Sequence, residues 1–402
     1  MNTISTGTPA HWQLPAGLDE VLPPDGARYE QLRRGLLDLF DCWGYDLVIP
    51  PLVEYLDSLL IGAGSDLDRQ TFKLTDFESG RSLGVRADMT PQVARIDAHQ
   101  LRREGPSRLC YIGTVLRTMP AGIVRTRSPV QVGAELYGHP GVESDVEIVS
   151  LMLASLSQAG IASLHVDLGH VGIFRHLAAC AGATPSQHER LFEALQRKSD
   201  SDVRAIASEL APSAYTDSLI QLVRLNGDMG VLDWARACLP ADDAQVSRAL
   251  AQVEQLAAGV SANAPQIEVH IDLAELRGYH YHPGVVFAAF TAGHGQEIAR
   301  GGRYDGVGAA FGRARAATGF STDLRTLLML TQTPNGSRGA VLAPYGSDDK
   351  LRAAIARLRA RGERVVTALP GVPVYMDELG CDRKLVAGAD GAYEVVSVTA
   401  SD

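Results

Sequence analysis

The chain has 402 residues, enough for two or three domains, with the hydrophobic (46%) and charged (21%) fractions of an ordinary globular protein. The net charge of −10 is a weak argument against a nucleic-acid partner, because binding to phosphates relies on Lys and Arg side chains. Five dispersed cysteines with no CxxC pair exclude a disulfide framework and a zinc ribbon, and they favour reduced thiols in the cytoplasm.

The first 170 residues predict helices and strands in alternation. They begin without a signal-peptide pattern, and nowhere in the chain does an apolar run reach the roughly 20 residues that span a bilayer. Thr90 as N-cap and Pro91 at the first helical position predict a helix to about Arg102. The other predicted elements are helices at 27–43 and 145–158 and strands at 46–49, 70–76, 81–86, 109–117, 129–138 and 163–168.

The composition changes after residue 172. Ala, Leu, Gln, Arg and Glu dominate residues 172–260, which predicts a helical insertion. Strand patterns return at 267–272 and 284–291. Residues 300–306 are predicted to form a glycine-containing turn between a strand and a helix, and residues 318–330 end in a strongly apolar stretch.

The C-terminal part predicts a separate small unit. Residues 333–337 have the composition of a linker, and strand and helix patterns alternate beyond them. The predicted organisation is a first domain at 1–331, which includes the insertion, and a small α/β domain at 338–402. The order of elements indicates an α+β fold, a mainly antiparallel sheet flanked by helices.

Polar residues occur where a core would not favour them. Gln131, Gly133 and Glu135 alternate in a strand pattern and share one face, where the two polar side chains are costly unless paired. The alternative is that this face meets solvent. Taken in isolation, Asp88 and Thr90 are better explained as helix-capping residues. Arg117 could be a solvated surface group, and Tyr281 and His282 could be ordinary strand residues.

Taken together, these segments resemble the histidyl-tRNA synthetase branch of the class II aminoacyl-tRNA synthetases over roughly residues 12–330. The segment 299–306 (ARGGRYDG) is similar to that family's signature almost residue by residue. Three further matches are Arg277-Gly278-x-x-Tyr281, the segment 86–90 (RADMT), and Arg117 followed by Gln131-x-Gly133-x-Glu135. The resemblance implies a class II synthetase-like sheet.

The same resemblance implies a pocket for histidine. A zwitterion with a polar ring needs an anionic end, a cationic end and an acceptor for its imidazole N–H. The resemblance implies that Gln131 and Glu135 accept hydrogen bonds from the ammonium and imidazole groups of histidine, and that Asp88 and Thr90 bind its ammonium end. Arg117 and Arg277 would face the carboxylate. The ring would be lined by Tyr281, His282 and Tyr304. Asp88 and His282 stand where the family usually has Glu and Tyr.

The positions that hold ATP in the family are altered in this chain. Met119 replaces a glutamate that binds the adenine amino group, and Pro129 replaces an aromatic residue that stacks on adenine. Thr326 occupies the position of a phosphate-binding arginine, and Arg325 stands one residue early, which points it away from the site. Arg125 could still contact a phosphate. These changes predict that ATP-dependent aminoacylation is lost.

The segment 282–290 (HPGVVFAAF) extends the resemblance to a non-synthetase branch of the family. Members of this branch assemble with the short catalytic subunit of ATP phosphoribosyltransferase in the first step of histidine biosynthesis. The resemblance implies a cytoplasmic chain without catalysis of its own, needed for the partner's activity and for feedback inhibition by histidine. It also implies a homodimer with residues 27–53 at the interface; the alternative is that the apolar residues of this segment serve only the core of the monomer. No tRNA, membrane or cofactor is expected. The alternatives are an active synthetase with drifted motifs and a histidine sensor for another partner.

A metal enzyme is a further alternative. His280 and His282 alternate along a predicted strand and could chelate zinc. The histidine pocket accounts for one of them without a metal, so no metal ligand is expected in this chain.

Overall fold

The computed structural model describes residues 13–61, 65–120, 126–276, 284–331, 339–389 and 391–398. The chain divides into two compact units. The large unit contains residues 1–22 and 28–332, and the small unit contains residues 23–27 and 333–402.

The described part of the large unit is built on two sheets. Its strands are β1 Asp46–Leu47, β2 Val53–Tyr55, β3 Phe72–Thr75, β4 Ser82–Val85, β5 Ser107–Thr114, β6 Val130–Tyr137, β7 Leu164–His170, β8 Asn226–Gly227, β9 Glu268–Asp272, β10 Val285–Thr291, β11 Ala299–Arg303 and β12 Ala317–Asp323. Nine of them form one sheet in the order β1-β5-β6-β12-β11-β10-β7-β9-β8. All neighbours in this sheet are antiparallel except β1–β5 and β7–β9, as expected for a mainly antiparallel sheet. The other three strands form a small antiparallel sheet, β2-β4-β3.

Helices flank these sheets. In chain order they are α1 Asp25–Cys42, α2 Leu56–Leu60, α3 Ser65–Gln70, α4 Thr90–Arg95 with the π-helix Ile96–Leu101, α5 Val142–Gln158, α6 Val171–Cys180, α7 Pro185–Gln196, α8 Asp200–Ala207, α9 Ala214–Leu222, α10 Val231–Cys238, α11 Ala244–Asn263, the 3-10 helix Val307–Phe311 and α12 Leu324–Leu330. Helices α6–α11 account for most of residues 171–263. Every helix among the described residues is too short or too polar to cross a lipid bilayer.

The main core lies on the face of the large sheet that α1 and α5 cover. Leu36 and Phe40 of α1 are fully buried there, and the Phe40 ring meets the edge of the Phe320 ring with 6.3 Å between centroids. Val132 and Ala134 of β6 belong to the same core. Because side chains alternate along a strand, Gln131, Gly133 and Glu135 lie on the opposite face, where the candidate site is formed.

The prediction of a turn at residues 300–306 is wrong for its first half. Ala299–Arg303 is strand β11, which is paired with β10 on one side and β12 on the other. A Cβ atom at Gly301 would overlap the carbonyl of Gly319 and the ring of Phe287. The glycine therefore serves close packing inside the sheet rather than a turn.

The capping role predicted for Thr90 is also wrong. Met89 is the N-cap of α4 and makes no side-chain cap hydrogen bond, while Thr90 is the first helical residue. Asp88 Oδ1 accepts the backbone N–H of Thr90 at 2.9 Å, so the turn before the helix is held by Asp88. The Thr90 hydroxyl is thereby left for the site described below.

Within residues 339–389 and 391–398, the small unit is a four-stranded sheet with two helices. Its elements are β13 Ala340–Ala343, α13 Asp349–Ala360, β14 Val365–Thr367, α14 Met376–Leu379, β15 Cys381–Ala387 and β16 Tyr393–Ser397. The strand order is β14-β13-β15-β16, parallel except for the β15–β16 pair. Its core contains Val341 and Leu385 from the sheet and Leu351 and Ile355 from α13.

Candidate functional site

The centre of the candidate site is a buried carboxylate. Glu135 lies in β6 and only 1% of its surface is exposed. Its Oε1 accepts hydrogen bonds from Tyr111 Oη at 2.9 Å and Thr90 Oγ1 at 3.2 Å, and its Oε2 accepts one from Tyr304 Oη. Hydroxyl groups from β5, α4 and the segment after β11 therefore converge on one side chain of β6.

Burial controls the ionisation of this group. Burial, together with the nearby charge of Asp88, raises the pKa of Glu135 to about 8, although the three hydroxyl donors oppose the shift. Burial also raises the pKa of Tyr111 and Tyr304 well above the ordinary value, so their hydroxyls remain protonated donors. A cationic ligand group in this position would favour the ionised carboxylate.

Gln131 connects the same strand to the start of α4. Its Oε1 accepts the Met89 backbone N–H at 2.8 Å, and its Nε2 donates to Asp88 Oδ1 at 2.8 Å. Both ends of the amide are thus oriented by fixed partners. Asp88 is half-buried beside it, which places an anionic group next to the buried Gln131 and close to Glu135.

Arg117 lies at the edge of this network and faces a pocket of about 250 Å³. Its Nε donates to the Ala87 carbonyl at 3.3 Å, and burial lowers its pKa. Gln131 lines the same pocket. The remaining lining residues are Thr126, Pro129, His294, Gln296, Glu297, Ile298, Ala299, Arg300, Ser321, Thr322, Asp323 and Thr326.

The structure brings most of the predicted site residues together. Asp88, Thr90, Gln131, Glu135 and Tyr304 form one hydrogen-bonded network. The alternative in which Gln131 and Glu135 face solvent is wrong, because only 6% and 1% of their surfaces are exposed. Three other predicted residues lie outside the described part of the chain, namely Arg277, Tyr281 and His282.

Two tyrosines of the site were not predicted from the sequence. Tyr111 stands opposite Gly133 in the β5–β6 ladder, and a Cβ atom at residue 133 would overlap the tyrosine ring. The Tyr137 hydroxyl lies 3.2 Å from that of Tyr304, and the two rings meet edge to face. The available signal was Gly133 itself, since a glycine inside a strand often marks close approach by another group.

Arg303, in the segment 299–306, has a structural role. Its side chain is buried and donates to Asp145 Oδ2 from Nη2 at 2.8 Å and from Nε at 3.1 Å. Nη2 also donates to Ser144 Oγ at 2.9 Å and to the Gly141 carbonyl at 3.0 Å. This arginine therefore joins β11 to the start of α5, and Tyr304, the next residue, reaches Glu135.

Two of the positions that differ from the ATP-binding residues implied by the family resemblance line the pocket that Arg117 faces. Pro129 and Thr326 line it, whereas Arg325 Nη2 donates to the Asp19 carbonyl at 3.0 Å. Asp323, the N-cap of α12, accepts backbone N–H groups of Val130, Arg325 and Thr326. Met119 is 68% exposed. The pocket wall therefore contains Pro129 and Thr326, where the family resemblance implies an aromatic residue and an arginine.

The fold and the site define a histidyl-tRNA synthetase-like protein of the class II fold. The family model for histidyl-tRNA synthetase matches residues 17–327, and the model for the ATP phosphoribosyltransferase subunit HisZ C-terminal domain matches residues 338–396. Two solved structures agree with this fold. One, titled an ATP phosphoribosyltransferase regulatory subunit/histidyl-tRNA synthetase from Bacillus halodurans, has a TM-score of 0.80 and 28% identity and covers 92% of this chain and 96% of that one. A histidyl-tRNA synthetase from Nostoc has a TM-score of 0.79 at 18% identity, covering 96% and 97%.

Curated relatives show to which branch of the histidyl-tRNA synthetase-like proteins the chain belongs. A protein of Alkalilimnicola ehrlichii named ATP phosphoribosyltransferase regulatory subunit is 55% identical over 387 residues, which is 95% of this chain and 96% of the relative. One of the same name from Thioalkalivibrio sulfidiphilus is 53% identical over 390 residues, 96% of this chain and 98% of the relative. The chain belongs to the family of ATP phosphoribosyltransferase regulatory subunits, which confirms the resemblance found in the sequence.

Proposed function

We propose that the chain is the non-catalytic regulatory subunit of an ATP phosphoribosyltransferase and acts with a short catalytic subunit in the first step of L-histidine biosynthesis. The proposal rests on sequence identity. More than half of the aligned residues are identical to those of relatives with that name, and the alignments cover nearly the whole length of both chains. The match of residues 338–396 to a domain model of that enzyme supports it, because this part lies outside the synthetase-like domain.

The second part of the proposal is that the Glu135 network binds L-histidine. Glu135 is a buried acceptor surrounded by hydroxyl donors, which suits an imidazole N–H. Asp88 supplies a second carboxylate for the ammonium group, and Arg117 supplies a cation for the carboxylate. Arg277, Tyr281 and His282 complete the pocket in the proposal, as the family resemblance implies.

We further propose that synthetase activity is lost and that no tRNA is bound. Amino-acid activation needs ATP held with its phosphates clamped and its base stacked. Pro129 and Thr326 offer neither a stacking ring nor a charge where they line the pocket, and Arg325 is engaged with a backbone carbonyl. The net charge of −10 adds no general attraction for tRNA.

Homodimer formation through residues 27–53 is also part of the proposal. The helical portion of this segment serves the core of the chain, because Leu36 and Phe40 are fully buried. The portion after the helix is different. Leu47, Ile49 and Leu52 are 47%, 81% and 50% exposed, which leaves an apolar strip available for a second copy.

Regulation in this proposal works by linkage. Histidine would favour one arrangement of the assembly and shift the partner's activity by a coupling free energy of typically about 1–3 kcal/mol. The sequence-based expectation is that segments 119–127 and 277–290 respond to histidine. Because β10 is paired on both sides in the large sheet, residues 285–290 are expected to stay fixed, and the proposal narrows the second segment to 277–284. Hydrogen exchange that is unchanged by saturating histidine in both responsive segments would refute this part.

Calorimetry on the purified chain tests the pocket. We expect L-histidine to bind and a non-hydrolysable ATP analogue not to bind. Histidine-dependent pyrophosphate exchange by the chain alone would instead support an active synthetase. A co-purifying partner other than the phosphoribosyltransferase subunit would favour a histidine sensor for another system. The absence of histidine binding to both the chain and its complex would refute the pocket.

A further inference from the structure

The helical segment 171–263 contains a cluster of metal-ligating groups outside the Glu135 network. His176 and Cys180 stand four residues apart on α6 and therefore share one face of that helix. Asp243, the N-cap of α11, lies against them, with its Oδ2 at 2.6 Å from His176 Nε2. Cys180 Sγ is 3.7 Å from the same nitrogen, and the three potential ligand atoms all lie within 4.8 Å of one another.

The carboxylate is held in place independently of the histidine. Asp243 Oδ1 accepts the backbone N–H groups of Gln245 at 2.9 Å and Val246 at 3.1 Å. This leaves Oδ2 directed at His176, and the Tyr215 hydroxyl donates to it at 3.1 Å. Partners that orient a ligand from behind in this way are typical of metal sites.

The geometry does not fit a Cys–His–Asp proton relay. In a relay the two ring nitrogens serve different partners, one the nucleophile and the other the carboxylate. Here Cys180 Sγ is about equally far from both nitrogens of His176, at 3.9 Å from Nδ1 and 3.7 Å from Nε2. The nitrogen that faces Asp243 is also the nearer one to the thiol, and the three potential ligand atoms are close enough to one another to share one ion.

We propose that His176 Nε2, Cys180 Sγ and Asp243 Oδ2 bind a divalent cation of the zinc class, with water in the fourth position. Tetrahedral zinc places nitrogen and sulfur ligands about 3.6 Å apart and nitrogen and oxygen ligands about 3.3 Å apart. The first distance is close to the 3.7 Å observed, and the second requires the His176–Asp243 pair to open by roughly 0.7 Å.

The charge balance of this site suits such an ion. Binding releases the thiol proton of Cys180 to solvent and places the imidazole proton of His176 on Nδ1, which frees Nε2 for the metal. The thiolate and the carboxylate then neutralise the two positive charges of the ion. Cys180 is exposed, so the ion can enter from solvent. The bound ion would join the C-terminal end of α6 to the N-terminus of α11.

The test uses the full chain without an affinity tag and titrates it with Co²⁺, which reports thiolate ligation through a charge-transfer absorption band. We expect one Co²⁺ per chain, displacement by Zn²⁺ and a higher thermal unfolding midpoint with Zn²⁺. Cys180→Ser should abolish the band. His176→Gln and Asp243→Asn should each weaken Co²⁺ binding roughly 100-fold or more, because losing a direct ligand costs more metal affinity than losing a group that only orients a ligand. Asparagine keeps the helix cap, so the Asp243→Asn variant is expected to fold.

The matched control is Cys42→Ser, because Cys42 is an exposed free cysteine at the end of α1. Its band and affinity should equal those of the unmodified chain, and circular dichroism should show that all variants fold. The proposal is overturned if the unmodified chain gives no charge-transfer band. It is overturned equally if the band survives in Cys180→Ser, and the His176–Asp243 contact is then only an ion pair between helices.

Discussion

Gly319 stands directly opposite Glu135 in the ladder between β12 and β6. A Cβ atom at residue 319 would overlap the Glu135 carboxylate and the carbonyl of Ala134. The space in which the buried carboxylate meets its hydroxyl donors therefore exists because residue 319 has no side chain.

Gly319→Ala should consequently displace Glu135. We expect a loss of about 1–3 kcal/mol in the free energy of unfolding, as for other overpacked sites, together with weaker histidine binding. Urea unfolding and calorimetry measure the two effects. Gly105→Ala is the control, because a Cβ atom at Gly105 has open space around it, and its effect should stay within about 0.5 kcal/mol. Equal behaviour of the two variants would contradict the packing relationship.

Glu135→Gln tests the role of the carboxylate in the proposed pocket. The amide keeps the shape but cannot become anionic, so histidine affinity should fall about 10- to 100-fold, the value of a hydrogen bond to a charged group. Calorimetry measures the change. Glu254→Gln is a suitable control because Glu254 pairs with Arg236 on the exposed surface. Unchanged affinity in Glu135→Gln would remove Glu135 from the pocket.

The raised pKa of Glu135 also predicts a dependence of stability on pH. The unfolded chain releases this proton near the ordinary pKa of 4.5, whereas the folded chain keeps it until about pH 8. The folded state thus binds more protons in this window, and its stability falls as the pH rises from 4.5 to 8, by on the order of 4 kcal/mol from this group. Urea unfolding at pH 5 and pH 8 should show the fall in the unmodified chain. A fall of the same size in Glu135→Gln would assign it to other groups.

Histidine binding should be linked to the same ionisation. If the ligand presents a cationic group to Glu135, the carboxylate becomes ionised and a proton is released on binding below pH 8. Calorimetry in buffers of different ionisation enthalpy counts that proton. We expect the release to disappear in any residual binding by Glu135→Gln, and its persistence would place the titrating group elsewhere.

The buried pair of Arg303 and Asp145 should contribute strongly to stability. Arg303→Met leaves the Asp145 carboxylate without its partner in the interior, which is expected to lower the free energy of unfolding by about 3–5 kcal/mol. Arg236→Met is the control, because its pair with Glu254 is exposed and should be worth about 0–1 kcal/mol. Chemical unfolding of both variants gives the comparison. A small effect at Arg303 would contradict its role in joining β11 to α5.

The proposed homodimer can be tested at Ile49. This side chain is 81% exposed, so Ile49→Asp should leave the monomer fold intact while opposing association of two apolar strips. Light scattering should report a dimer for the unmodified chain and a monomer for the variant. Trp234→Asp, at an exposed position of α10, should remain a dimer. A monomeric unmodified chain would refute the proposal.

Much of the fold was predictable from local patterns. Helix α5 was predicted at 145–158 and β6 at 129–138, close to their observed bounds, because periodic apolar residues dominate both segments. Residues 300–303 were misjudged because their glycines indicate a turn locally. Their actual role depends on Gly319 and Phe287, which reach them only in the assembled sheet.

In the candidate site, too, some residues could be predicted from the sequence and others could not. The resemblance to a known family pointed to Glu135 and Tyr304, although neither residue indicates a pocket alone. Tyr111 was missed because its contact with Glu135 depends on the register of β5 against β6. The group of His176, Cys180 and Asp243 was missed because its third member comes from a distant helix, and spacing along the chain does not reveal it.

The most direct test of the central claim is the phosphoribosyltransferase rate of the short catalytic subunit, measured with and without this chain and then with L-histidine. We predict a much higher rate in the presence of the chain, inhibition of that rate by histidine, and weaker inhibition when the chain carries Glu135→Gln. A rate that the chain does not change, combined with histidine-dependent pyrophosphate exchange by the chain alone, would contradict the account and identify an active synthetase.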